Sequence, residues 1–106
     1  MRRASWRRWR RAMKYHLKRL PRVSRQLRTL PNRIRQEVSR AIDDLVSEPY
    51  PPDAEELRDQ YQGIWKIKLD GWRIFYRVNE TDRLVTILSV KRRDRNTYLH
   101  IFSLLF

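Results

Sequence analysis

The tightest constraint on the fold is an Asp70-Gly71 pair between two runs of alternating apolar and polar residues, Trp65 to Leu69 and Trp72 to Arg77. An Asp-Gly pair between such runs predicts a two-residue β-hairpin loop of type I′. The loop length fixes the register, so Lys68 is predicted to lie opposite Arg73. The other predicted pairs are Leu69 with Trp72, Ile67 with Ile74, Lys66 with Phe75 and Trp65 with Tyr76.

Because side chains alternate between the faces of a strand, this hairpin has one apolar and one cationic face. The apolar face contains Trp65, Ile67, Leu69, Trp72, Ile74 and Tyr76, and the cationic face contains Lys66, Lys68, Arg73 and Arg77. Like charges directly opposite each other destabilise a sheet, by an amount comparable to the roughly 0.2–1 kcal/mol of a favourable cross-strand pair. The Lys68–Arg73 pair therefore favours a surface that binds an anion. A solvated basic face is the alternative.

The overall charge also favours a polyanionic partner. The chain has 25 Lys and Arg against 12 Asp and Glu in 106 residues, a formal net charge of +13. Such an excess predicts attraction to nucleic acid first, then acidic proteins, then anionic membranes. Cysteine is absent and the two histidines are far apart in sequence, so we expect no metal and no cofactor. No apolar run reaches the about 18 residues of a membrane span, which predicts a cytoplasmic protein.

The first twelve residues form a basic arm that contains six Arg, no acidic residue, and Trp6 and Trp9. We expect this arm, 1–12, to be disordered and residues 13–106 to form a single domain. Cationic and aromatic side chains could also lie along a phosphate backbone and stack on bases. The arm is therefore either an extension without an essential role or an additional RNA contact.

The pattern after the arm predicts an α+β fold with element order β-α-α-β-β-β. A short strand, Tyr15 to Leu20, ends at Pro21, which suits the first turn of a helix. Asn32 is the predicted N-cap of a second helix. The apolar positions at helical spacing are Val23, Leu27 and Leu30, then Ile34, Val38, Ile42 and Leu45. We expect a small, mostly antiparallel four-stranded sheet with this αα-hairpin on one face.

The second half of the chain is predicted to bring more cations to the hairpin. Ala54 to Arg58 suggests a turn of helix, and a four-residue turn, Asn79 to Asp82, precedes a last strand from Arg83 to Val90. This register places Leu88 opposite Arg73. It also directs the segment after Val90 towards the hairpin turn, and that segment contains Lys91, Arg92, Arg93 and Arg95. The apolar tail, Leu99 to Phe106, is predicted to cover the sheet as a helix or a strand, and the alternative is an exposed patch that binds a partner.

Three segments in this order resemble the RelE/ParE superfamily of bacterial type II toxins, and within it the RelE-like mRNA interferases. They are G-I-W-K-I-K-L at 63–69, G-W-R-I-F-Y-R-V at 71–78 and L-S-V-K-R-R-D-R-N-T-Y at 88–98. The resemblance implies a toxin that inhibits translation by cleaving mRNA in the ribosomal A site without a metal. It also implies a cognate antitoxin protein as partner, with mRNA and the ribosome as targets.

The resemblance implies roles for the site residues as well. In RelE-like enzymes the 2′-OH attacks the adjacent phosphate, leaving a 2′,3′-cyclic phosphate and a 5′-OH. By matching positions, Lys68 is the expected general base, and Lys66 and Arg73 hold the phosphate. Arg93 would stabilise the transition state, and Tyr98 would stack on a base. The last segment is one residue shorter than the RelE pattern, so Arg92 is an alternative to Arg93. Arg77, Lys91, Arg92 and Arg95 are expected to bind RNA.

Two other functions remain open. A ParE-like protein inhibits DNA gyrase on the same fold, and an RNA- or ribosome-binding module would need the charge but no catalysis. ParE-like relatives do not generally keep the cationic hairpin. Lys66, Lys68 and Arg73 therefore favour RNA cleavage.

Overall fold

The computed structural model describes residues 14–93, and the elements within that range confirm the α+β fold. In chain order they are β1 (His16–Arg19), α1 (Pro21–Arg28), α2 (Asn32–Asp44), β2 (Glu55–Glu56), a 3₁₀ turn (Asp59–Tyr61), β3 (Ile64–Leu69), β4 (Trp72–Asn79) and β5 (Leu84–Arg92). The basic arm, Arg95, Tyr98 and the apolar tail lie outside the described residues.

The strands form a five-stranded sheet with the order β1-β5-β4-β3-β2. β1 is parallel to β5, and the other neighbours are antiparallel. The additional strand is β2, so the predicted helical turn from Ala54 to Arg58 is wrong. β2 pairs Glu55 with Lys66 and Glu56 with Trp65. An opposite-charge pair at a sheet edge stabilises a strand in this segment.

The two helices pack on one face of the sheet, as predicted. Proline at the first turn starts α1, because its missing N–H would have no partner there in any case. The predicted N-cap is wrong by one residue: Pro31 occupies the cap, and the Asn32 side chain instead accepts a hydrogen bond from Arg35. The main core consists of Val23, Leu27, Leu30, Val38, Ile42 and Leu45 from the helical region and Ile67, Ile74, Tyr76, Val85, Ile87 and Val90 from the sheet.

The β3–β4 hairpin has the predicted register at all five pairs. The predicted turn type is wrong. A type I′ turn needs positive φ at both central residues, whereas a type II turn needs it only at the second. Only Gly71 of the two loop residues has a positive φ, at 85°. The loop length has therefore fixed the register without the expected backbone conformation.

The β4–β5 register differs from the prediction and changes the site. Asn79 pairs with Leu84, and a β-bulge between Phe75 and Tyr76 leaves Leu88 as an extra residue on β5. Arg73 consequently lies opposite Lys91 and not opposite Leu88. The strand also continues beyond Val90 to Arg92, and the Arg93 N–H donates to the Gly71 carbonyl at 2.6 Å.

A glutamine on α1 holds the part of β5 that leads to Lys91. β1 pairs only with the first half of β5, from Leu84 to Ile87. Beyond that point, Gln26 Oε1 accepts a hydrogen bond from the Val90 N–H at 2.8 Å. Gln26 Nε2 lies 3.2 Å from the hydroxyl oxygen of Ser89 and donates to it. The side chain thus replaces the missing strand partner along this edge.

We predict that Gln26→Leu lowers the free energy of unfolding by about 1–3 kcal/mol, because a buried N–H and a buried hydroxyl lose their partner. Urea denaturation measures the change. The matched control is Gln36→Leu on the exposed face of α2, which is expected to change stability by no more than about 0.5 kcal/mol. Equal losses in the two variants would contradict the role of Gln26.

The opposite end of the sheet is tied together by tyrosines. The Tyr15 hydroxyl donates to Glu80 Oε2 at 2.7 Å, and the Tyr50 hydroxyl donates to the other carboxylate oxygen. These hydrogen bonds, first that of Tyr50 and then that of Tyr15, lower the pKa of Glu80. The buried Tyr76 hydroxyl donates to the Pro49 carbonyl at 2.7 Å. The loop after α2 is thereby fixed against β1 and the β4–β5 turn.

Within residues 14–93, neither helix has the length and apolar character needed to cross a membrane.

Candidate functional site

Three cations lie side by side across three strands on the face of the sheet away from the helices. Lys68 on β3 pairs with Arg73 on β4, which pairs with Lys91 on β5. Directly paired residues have Cβ atoms about 4.5–5.5 Å apart, so the three side chains originate within about 10 Å. We call Lys68, Arg73 and Lys91 the cationic row. It is more concentrated than the sequence predicted, because Lys91 replaces Leu88 in the register.

Lys66 extends the cationic row along β3, and its side chain is only 15% exposed. Glu55 on β2 lies opposite and contacts both lysines of β3. Its Oε2 is 3.7 Å from Lys66 Nζ, and its Oε1 is 3.5 Å from Lys68 Nζ. The Glu55 carboxylate thus bridges the ammonium groups of Lys66 and Lys68. The same ammonium groups are positioned to bind the negatively charged oxygens of a phosphodiester.

Glu55 was missed by the sequence reasoning, which placed it in a helical turn. A two-residue strand has no periodicity to detect. The available signal was compositional: Glu55 and Glu56 precede a strand that contains two lysines, an arrangement that suits an antiparallel edge pair.

Arg73 is held by the backbone of its own hairpin. Its guanidinium donates to the Trp72 carbonyl at 2.8 Å, and the residue is half-buried. A guanidinium has five N–H donors in a planar fork. The bond to Trp72 therefore orients the group while leaving donors for a bidentate contact with an anion.

The two arginines at the end of β5 have different backbone partners. Arg92 pairs with Trp72, which packs against the main core on the helix-covered side. Arg92 therefore lies on the face opposite the cationic row. Arg93 is also anchored by its N–H to Gly71. The role of Arg93 as the active-site arginine stays a prediction.

Arg77 is not brought to the cationic row. It lies four residues further along β4 than Arg73, a distance of about 13 Å at the usual rise of a strand. Its neighbours are Ile64 on β3 and Thr86 on β5. Arg95 and Tyr98 lie outside the described residues, so their predicted contacts with RNA stay predictions.

A second apolar cluster, which the sequence did not predict, lies beside the cations. It consists of Leu57, Ile64, Phe75 and Leu88, all buried. Lys66 pairs with Phe75 and so stands at the boundary between this cluster and the cationic row. A cavity of about 390 Å³ adjoins Lys66, with Glu55, Arg58 and Tyr61 in its lining. The site is thus an open cationic surface with an apolar wall on one side.

Among residues 14–93, no group of three or more His, Asp or Glu side chains is arranged to hold a metal ion.

The profile of the ParE toxin of type II toxin-antitoxin systems, parDE, matches residues 7–97. No curated protein sequence matches the chain significantly.

Several solved structures have the same fold. A chain of the RelBE2 toxin-antitoxin complex from Mycobacterium tuberculosis is 28% identical with a TM-score of 0.68, and the match covers 76% of this chain and 99% of that one. The archaeal RelE-RelB complex from Pyrococcus horikoshii gives 28% identity and a TM-score of 0.69, covering 77% and 98%. The isolated RelE toxin of E. coli gives 23% identity and a TM-score of 0.65, covering 87% and 99%; this last likeness shows the fold alone.

Proposed function

This chain belongs to the RelE/ParE superfamily of type II toxins, and on that basis we propose that it is an endoribonuclease that arrests translation by cleaving ribosome-bound mRNA without a metal. We further propose that a cognate antitoxin protein neutralises it. The structural relatives in complexes with RelB support an antitoxin partner.

The cationic row supports RNA cleavage over the other functions of the superfamily. Lys68, Arg73 and Lys91 are in direct register, and Lys66 adjoins them. Like charges in register are unfavourable for the sheet alone. A phosphodiester between them offsets that repulsion, and the row offers both point charges and a planar fork to its oxygens.

The proposed reaction is an internal transesterification. The 2′-oxygen of one nucleotide attacks the adjacent phosphorus and gives up its proton, and the bond from phosphorus to the 5′-oxygen breaks. The 5′-oxygen then takes a proton, which leaves a 2′,3′-cyclic phosphate and a 5′-OH. Preorganised cations stabilise the extra negative charge of the pentavalent transition state. The requirement for a 2′-OH restricts the reaction to RNA.

Two side chains are candidates for the acceptor of the 2′-OH proton. The superfamily pattern assigns this role to Lys68. A protonated lysine must first lose a proton, however, whereas an ionised carboxylate accepts one directly at neutral pH. Glu55 is 3.5 Å from Lys68 and 3.7 Å from Lys66, so its carboxylate is held where the cations bind the phosphate. We therefore assign proton acceptance to Glu55 and phosphate binding to the two lysines.

We predict that Glu55→Gln lowers the cleavage rate by about 10²–10⁴-fold, the usual contribution of a general base. Glu37→Gln is the matched control, because Glu37 lies on α2, on the helix-covered side of the sheet, where it contacts Arg33. Single-turnover cleavage by the purified proteins measures both. A rise in cleavage by Glu55→Gln would show that Glu55 only neutralises the lysines, and would return the role of base to Lys68.

Addition of the purified toxin to translating ribosomes tests the proposed function. The expected result is mRNA truncated at the codon in the A site, detected by primer extension. Intact mRNA together with arrested translation would indicate a module that binds the ribosome without cleaving.

A ParE-like gyrase inhibitor is the second candidate, and the match to the ParE toxin profile over residues 7–97 favours it. A DNA supercoiling assay with purified gyrase decides this point. The proposed function predicts unchanged supercoiling, and inhibition of gyrase by the wild type would contradict it.

A further inference from the structure

The end of α2 borders a groove that the proposed reaction does not use. This groove has a volume of about 330 Å³ and lies between α2, the loop that follows it and β3, on the helix-covered side of the sheet. Its floor includes Leu45, Ile67 and Leu69, and its rim includes Asp44, Glu48 and Asp53. We call it the acidic groove.

The rim has negative charge that the rest of the described chain does not neutralise. Among residues 14–93, the ion pairs involve Asp43, Glu37 and Glu55 and none of the three rim carboxylates. α2 also has no basic residue in its last turn. The C-terminal end of a helix is partially negative, so Asp44 adds an unfavourable charge there. In a chain with a net charge of +13, this is a local site that a cationic segment would stabilise.

The N-terminal segment 1–13 has the complementary chemistry. It contains six Arg, no acidic residue, and Trp6 and Trp9. Arginines complement the rim, and an indole ring complements an apolar floor. Arg and Trp are also the residue types that contribute most at interfaces of this kind.

The same segment joins the described chain beside the groove. The Tyr15 N–H donates to the Val46 carbonyl at 2.9 Å, and Val46 is only two residues before Glu48 of the rim. Trp9 lies six residues before Tyr15, which in an extended chain spans about 20 Å. Both tryptophans are therefore within reach of the groove without any change in the described residues.

We propose that the acidic groove binds residues 1–13 of the same chain, with an indole ring on the floor and arginines against Asp44, Glu48 and Asp53. The segment is then part of the folded toxin, on the side of the sheet opposite the cationic row. In this position the segment does not contact RNA at the cationic row.

Paramagnetic labelling of the full chain tests the proposal. The chain has no cysteine, so Ser5→Cys gives a single attachment point for a nitroxide. We expect the amide NMR signals of Leu45, Ile67 and Leu69 to lose intensity. The signal of Asn32, at the other end of α2 and about 18 Å from Asp44 along the helix axis, is expected to lose much less.

Two further samples complete the test. The combined variant Asp44→Asn, Glu48→Gln and Asp53→Asn keeps the size of the rim but removes its charge, and it is expected to restore the lost intensity. The second sample mixes two kinds of chain: one carries the nitroxide but no NMR-active isotopes, and the other carries the isotopes but no nitroxide. No loss of signal intensity is expected in this sample. Loss in the mixed sample would assign the groove to a second copy, whereas uniform broadening, or loss that survives the charge variant, would overturn the proposal.

Discussion

Arg73→Ala is expected to lower the rate of mRNA cleavage by about 10²–10³-fold, as when one preorganised donor is removed from a transition state. Arg73 lies at the centre of the cationic row, between Lys68 and Lys91. Its loss removes the only planar fork in that row, and an adjacent lysine cannot replace a bidentate contact. Single-turnover cleavage of ribosome-bound mRNA measures the effect, and relief of growth arrest follows from it.

The matched control for Arg73→Ala is Arg40→Ala on the exposed face of α2. It removes the same formal charge from the chain but is far from the row. We expect normal cleavage from this variant. Equal losses in the two variants would mean that total charge, and not the row, determines activity.

Ile74→Ala is expected to lower the free energy of unfolding by about 2–5 kcal/mol, the usual range for a buried isoleucine. Ile74 is fully buried in the main core, where it pairs with Ile67 and Val90 on the neighbouring strands. Deleting its side chain leaves a cavity in the main core. A domain of this size is typically stable by about 5–15 kcal/mol, so this is a large fraction of the total. Urea denaturation measures it.

Substitutions of Arg73 and Ile74 together distinguish a loss of catalysis from a loss of stability. The two residues are adjacent on β4 but lie on opposite faces. Arg73→Ala is expected to lose cleavage and keep stability, whereas Ile74→Ala is expected to lose stability and keep the cleavage rate of its folded fraction. A large loss of stability in Arg73→Ala, or an unchanged midpoint in Ile74→Ala, would contradict the assignment of the two faces.

The parts of the fold that the sequence could predict depend on local signals. A two-residue loop fixes the β3–β4 register, so the position of Lys68 opposite Arg73 followed from sequence alone. Helical periodicity bounded by prolines likewise located α1 and α2. The core positions of the hairpin followed from strand alternation, and those of the helices followed from helical periodicity.

The parts that the sequence could not predict depend on distant contacts. The bulge at Leu88 moves Lys91 opposite Arg73, and nothing in the residues around Leu88 indicates an extra residue on that strand. β2 is too short for any periodic pattern and exists through its pairing with β3. The contacts of Glu55 with Lys66 and Lys68 follow from that pairing. Three of the four cations of the site, Lys66, Lys68 and Arg73, were thus predictable from the hairpin. The position of Lys91 and the acidic member of the site, Glu55, were not.

The RelE/ParE superfamily includes RNA-cleaving and gyrase-inhibiting toxins on one fold, so the fold does not determine which reaction occurs. The difference must lie in side chains. In this chain the cationic row and the bridging Glu55 are the features that we assign to RNA chemistry. Their effect is seen most directly in the ends of the RNA fragments.

The most direct measurement is therefore the terminal chemistry of mRNA fragments produced on translating ribosomes by the wild type and by Arg73→Ala. We predict that wild-type fragments end in a 2′,3′-cyclic phosphate and begin with a 5′-OH, and that Arg73→Ala yields about 10²–10³-fold fewer of them. Fragments with a 5′-phosphate, or equal yields from the two proteins, would contradict cleavage by the cationic row.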